Sequence, residues 1–138
     1  MNYLAYALIG LFAYSLVAPL VKLGIREVPV EVAVVITNSF LVLITIIWAV
    51  IRGKNVLNYL TLQKGSIYLY FAGLALGIGI VSYYMALGSA DVSRVVPIFG
   101  LYLALSSVFG FFLLGEAITV TKIVGLGLAV LAIVLVSW

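Results

Sequence analysis

The sequence has no cysteine and no histidine. Disulfides, thiolate nucleophiles, imidazole bases and the commonest zinc ligands are thereby excluded, and no metal site or cofactor is expected. Charge is nearly as scarce. Seven Lys and Arg with four Asp and Glu amount to 8% of 138 residues, against about 25% in a soluble domain. The basic residues form no run and no patch interleaved with aromatics, so a net charge of +3 gives nucleic-acid binding no support.

What fills the chain instead is apolar: 67% of the residues are hydrophobic. Five runs, 3–23, 31–51, 67–87, 95–115 and 118–137, each approach the ~20 residues that cross a bilayer as a helix. They are apolar on all sides and too long for barrel strands, which alternate polar with apolar over about ten residues. Helices are the remaining way to satisfy the backbone in lipid. The expected fold is an all-α membrane protein with five transmembrane helices in a single domain, 1–138. No basic residue precedes the first run and no small-x-small site follows it, so it reads as a spanning helix and not as a signal peptide.

The connections carry turn chemistry. "GIREVPVE" from Gly24 predicts a short turn, and "RGKNVLNYLTLQKGS" from Arg52 an interfacial one that rests Leu57, Tyr59, Leu60 and Leu62 on the headgroups. "GSADVSR" pairs Gly88 as a helix stop with Asp91 or Ser93 as the next cap. In "GFFLLGEAITVTKIVG", Gly115 is expected to end the fourth helix, and Thr119 or Glu116 to cap the fifth. Five spans place the termini on opposite sides. Arg52, Lys54, Lys64 and Lys122 then share the N-terminal side, against Lys22, Arg26 and Arg94. Four against three favours a cytoplasmic N terminus and leaves room for insertion both ways.

Polar residues inside the spans are costly and mark sites or contacts between helices. On the first, Ser15, Pro19 and Lys22 share a face, and Pro19 leaves the Ser15 carbonyl without its helical donor. On the second, Asn38 either holds a polar substrate or joins two helices. The third carries Tyr83 and Tyr84 near its end, beside stripes of small residues (Gly73, Gly77 and Gly88; Ala72, Gly79 and Ala86) that favour close packing. Tyr102 and Ser106 lie four apart in the fourth span, and Gly125, Gly127, Ala129 and Ala132 make the fifth a packing helix. All four acids, Glu27, Glu31, Asp91 and Glu116, stand at span ends.

"SYYMALGSADVSRVVPIFG", followed by "FLLGEAIT" and "KIVG", resembles the EamA-type domain of the drug/metabolite transporter superfamily, and the resemblance covers essentially the whole chain. It rests on Tyr83, Ala86 and Leu87, on Pro97, on the turn Leu114, Gly115, Glu116 and Thr119, and on Gly125. Tyr14 and Lys22 match an aromatic and a lysine of the family's first helix. Asn38 stands where a basic residue is frequent, Leu103 where a second proline is, and Ala132 where a glycine is usual.

The resemblance implies one half of a ten-helix inverted-repeat transporter. It would be completed by an antiparallel copy of the same chain or by an oppositely oriented homologous half. The expected activity is secondary transport, as an exporter of small polar or amphipathic metabolites or drugs, by alternating access in the cell (inner or plasma) membrane. Tyr14, Ser15, Lys22, Asn38, Tyr83, Tyr84, Tyr102 and Ser106 would bind substrate; Pro19, Pro97, Gly115, Glu116, Thr119 and Gly125 would be structural. Rival readings are a small multidrug-resistance-type cation/proton antiporter, whose glutamate inside the first helix has no counterpart here, a lipid-linked sugar flippase subunit, and a non-transporting assembly subunit. An enzyme is not expected, because Ser106 and Ser107 have no histidine or buried lysine beside them in sequence.

Overall fold

A computed structural model describes residues 2–137. Its regular structure among those residues is helical throughout: α1 (Tyr3–Ser15), α2 (Val17–Gly24), α3 (Val30–Ile51), a 3-10 turn (Val56–Tyr59), α4 (Lys64–Ser89), α5 (Val92–Gly100), α6 (Tyr102–Leu114) and α7 (Val120–Ser137). Four stretches are long and apolar enough to cross a membrane: Tyr3–Gly24, Val30–Ile51, Lys64–Ser89 and Val92–Leu114. The last apolar helix, Val120–Val136, is shorter. Its 17 residues rise about 25 Å, somewhat less than the roughly 30 Å of hydrocarbon.

Two of the long stretches are broken, each in connection with a proline. α1 gives way to α2 at Leu16, where the Leu16 N–H turns to the Ala13 carbonyl at 3.3 Å. Pro19 lies three residues on and can neither donate to the Ser15 carbonyl nor avoid crowding it, which accounts for the interruption. Pro97 lies inside α5, and that helix ends at Gly100 with the Leu101 N–H bonded to Ile98 O at 3.2 Å, a tighter i−3 contact, before α6 resumes the direction.

Contacts divide the chain into two compact units, Leu20–Gly88 and the remaining described residues. In the first, Tyr84 and Leu87 near the end of α4 are fully enclosed, Val21 and Ala33 are buried, and Ser66 is buried separately near the start of α4. Gly88 does not stop α4, which continues to Ser89. A side chain at Gly88 would stand 3.2 Å from Val30 Cγ2, so this glycine admits the start of α3 rather than ending a helix. By contrast Gly73 and Gly77 of one stripe and Gly79 of its neighbour face open space, so the close packing expected of these glycines is not made among the described residues.

The second unit is organised by α5 lying along α7, with α6 against both. Ile133 Cδ1 of α7 comes within 3.9 Å of the Cβ position of Gly100, and Val95 is buried. Asp91 holds the backbone position of the α5 cap without a side-chain bond; its carbonyl receives the N–H groups of Arg94 and Val95, each at 3.0 Å. Ser93 lies inside the helix. Most large apolar side chains of both units are exposed, as expected where lipid is the solvent.

Candidate functional site

Residues 20–88 gather polar groups from three helices. Thr37 of α3 and Tyr84 of α4 share a hydrogen bond of 2.8 Å. The threonine proton is used at the carbonyl of Ala33 (3.0 Å) or Val34 (3.2 Å), so the tyrosine hydroxyl supplies the donor between helices. The Tyr83 ring meets that of Tyr84 edge to face, with centroids 6.3 Å apart and planes at 71°, an arrangement that suits the ring quadrupoles. Thr37 had no mark in the sequence: an isolated threonine in a β-branched run gives no sign of its partner.

Lys22 of α2 donates from Nζ to the Leu87 carbonyl at 2.6 Å. That carbonyl belongs to the last turn of α4, where the helix supplies no donor of its own and the peptide dipoles present their negative end. Lys22 is therefore a remote C-cap for α4; its side chain is half-buried, and its acceptor Leu87 lies three residues beyond Tyr84. Asn38 donates its amide to Val34 O at 2.8 Å. It lines a groove of ≈ 540 Å³ along α3 with Val35, Ser39, Val42, Leu43 and Ile46. Its carbonyl oxygen accepts no hydrogen bond from the described residues and keeps that capacity for a ligand.

The other unit holds the remaining expected residues. Tyr14 is 72% exposed in the last turn of α1, and Ser15 Oγ donates to Phe12 O at 2.8 Å. Tyr102 packs on Phe99 across the α5–α6 break, with centroids 5.3 Å apart, and Ser106 is exposed one turn further along α6. The eight residues expected to bind substrate thus fall four to each unit: Tyr14, Ser15, Tyr102 and Ser106 in one, Lys22, Asn38, Tyr83 and Tyr84 in the other.

The turn between α6 and α7 follows local chemistry closely. Gly115 takes φ 65° and ends α6, a left-handed conformation that side chains resist. Thr119 Oγ1 accepts from the Lys122 N–H at 3.3 Å, which makes Thr119 and not Glu116 the side-chain cap of α7. The Glu116 N–H reaches Gly110 O at 3.5 Å. Gly125, expected to bring helices together, meets nothing within 4 Å at its Cβ position and instead borders a cavity beside this turn.

No curated protein and no solved structure matches the chain. The family model of EamA-like transporters matches residues 1–138. Apolar helices of spanning length make the chain an integral membrane protein, and a family match over its full length places it in the drug/metabolite transporter superfamily. The chain belongs to the EamA-like transporter family.

Proposed function

We propose that the protein is a secondary transporter that exports small polar or amphipathic metabolites, with two antiparallel copies forming the inverted repeat needed for alternating access. The observation that carries this reading is the convergence of Lys22, Thr37, Tyr83 and Tyr84 within residues 20–88 of an otherwise apolar chain. Polar groups on membrane helices are costly to expose to lipid and mark substrate paths. Lys22 favours an anionic or zwitterionic group, Asn38 offers an open acceptor, and the tyrosines offer faces and hydroxyls.

Tyr14, Ser15, Tyr102 and Ser106, all in the other unit, are proposed as further substrate contacts in their own right. The membrane stretch Tyr3–Gly24 contains no acid, which argues against the cation/proton antiporter reading. The open positions at Gly73, Gly77 and Gly79 on two neighbouring stripes support association with a second copy, since small residues let helices approach closely.

Flux of labelled zwitterionic and anionic metabolites into liposomes holding only this purified chain tests the proposal. Wild type should concentrate a substrate under an imposed ion gradient, and Lys22→Met combined with Asn38→Ala should reduce the rate at least about tenfold. Equal flux in the double variant sinks the proposed site. Flux that appears only after a second protein is added removes the homodimer.

A further inference from the structure

A second cavity, ≈ 310 Å³, lies beside the α6–α7 turn and is lined by Ser107, Phe111, Glu116, Lys122, Gly125 and Leu126. It is small for a ligand pocket, near the lower end of the usual ~300–1,000 Å³, and suits a molecule the size of a lipid headgroup or an amino acid. Its lining combines one carboxylate, one ammonium, one hydroxyl and one aromatic face.

Both charged side chains are exposed, yet each folds toward the protein. The Glu116 side chain folds back over Gly110, where its carboxyl carbon and both oxygens lie 3.5 Å from the Cβ position. An alanine at 110 would meet it at ordinary van der Waals distance. Capping of α7 is already done by Thr119, and the Glu116 carboxylate accepts no hydrogen bond from the described residues. Lys122 Nζ donates to Ala117 O at 2.9 Å and stands 5.6 Å from the centroid of the Phe111 ring. These two contacts orient the exposed ammonium and leave two of its three N–H donors for a ligand. Ser107 Oγ spends its proton on Leu103 O at 3.0 Å, so toward the cavity it can only accept.

The donor and acceptor pattern is therefore directional. Glu116 and Ser107 offer acceptors suited to a primary ammonium, Lys122 offers donors suited to an anionic oxygen, and Phe111 offers a surface for a short apolar stem. We propose that this cavity binds a small zwitterion carrying a primary ammonium and an oxyanion, either as a free solute or as the headgroup of an aminophospholipid. Phosphatidylcholine is disfavoured, because its quaternary ammonium has no N–H to give Glu116 or Ser107.

The purified chain in phosphatidylcholine nanodiscs supplies the test, read as its thermal unfolding midpoint. O-phosphoethanolamine is titrated as the free solute, and phosphatidylethanolamine replaces part of the bilayer as the lipid source. A rise with the first alone assigns a soluble ligand, and a rise with the second alone assigns a headgroup; both outcomes support the site. Glu116→Gln and Lys122→Gln should each weaken the responding probe at least about tenfold. Phosphate and ethanolamine added separately should not reproduce the effect. If Glu116→Gln lowers the ligand-free midpoint by loosening the turn, Lys122→Gln decides alone. No response to either probe, equal response to the separated ions, or wild-type affinity in Lys122→Gln overturns the proposal.

Discussion

Replacing Thr37 by Val should destabilise the protein more than replacing Tyr84 by Phe, although both remove the same 2.8 Å hydrogen bond. The difference lies in what each leaves behind. With Phe at 84, Thr37 still donates to the Ala33 or Val34 carbonyl, so nothing with a proton to give is stranded. The loss is then that of one bond between membrane helices, about 0.6 kcal/mol and at most about 1.7. With Val at 37, the Tyr84 hydroxyl remains on a residue only 1% exposed, with neither water nor its observed partner. An abandoned buried donor costs about 1–3 kcal/mol. The double variant should cost less than Thr37→Val alone, because it leaves no hydroxyl to strand. Unfolding in mixed micelles at rising mole fractions of SDS, followed by tryptophan and tyrosine fluorescence, gives all three values. Thr37→Val no costlier than Tyr84→Phe, or single effects that simply add, would refute the reasoning.

The same titration checks three further expectations. Gly115→Ala forces a side chain into φ 65° and should destabilise the α6–α7 turn by about 1–2 kcal/mol; an unchanged midpoint would mean that the turn relaxes elsewhere. Gly77→Ala, in open space, should stabilise the isolated chain by about 0.5–1 kcal/mol. Gly88→Ala should fall below it by about 1 kcal/mol or more, because its new methyl meets Val30 Cγ2 at 3.2 Å; equal stability of the two would show that α3 yields freely. Lys22→Met removes a charged donor from the Leu87 carbonyl and should cost about 1.5–3 kcal/mol, whereas Lys22→Arg, which can still donate, should recover part of that loss.

How much of this was readable beforehand depended on whether the cause was local. Gly115 and Thr119 could be placed because a left-handed stop and a hydroxyl cap are properties of a few adjacent residues. The break at Leu16 followed in the same way from Pro19. Gly88 looked like another stop, yet its reason is Val30, 58 positions away, and nothing near it in the chain reveals that contact. Lys22 was singled out as a ligand for substrate; that it also donates to the Leu87 carbonyl could not be read, because every residue has a backbone carbonyl and no sequence distinguishes one. Asp91 and Glu116 had the composition of caps, but the α5 cap uses only the Asp91 backbone and the α7 cap passes to Thr119. Four spanning stretches were legible from hydropathy because apolar length reports directly on the solvent, whereas the fifth apolar helix is shorter than expected. Which polar residue meets which was not legible, because that is settled by packing between distant segments.

The segment between α3 and α4 is tied down at several points. Asn55 Oδ1 accepts from the Leu57 N–H at 3.0 Å, Ser66 Oγ donates to Tyr59 O at 2.7 Å, and the Tyr70 hydroxyl donates to Thr61 O at 3.2 Å. Two of these ties run from α4 itself, and Ser66 is buried. The segment is consequently a rigid extension of α4 and not a slack tether: a tilt of that helix about its own start would carry the loop through the same angle. Leu62, 84% exposed beside that start, turns with the helix while barely being displaced, so an orientation-sensitive spin label or fluorophore there would report the angle of a helix otherwise hidden in lipid.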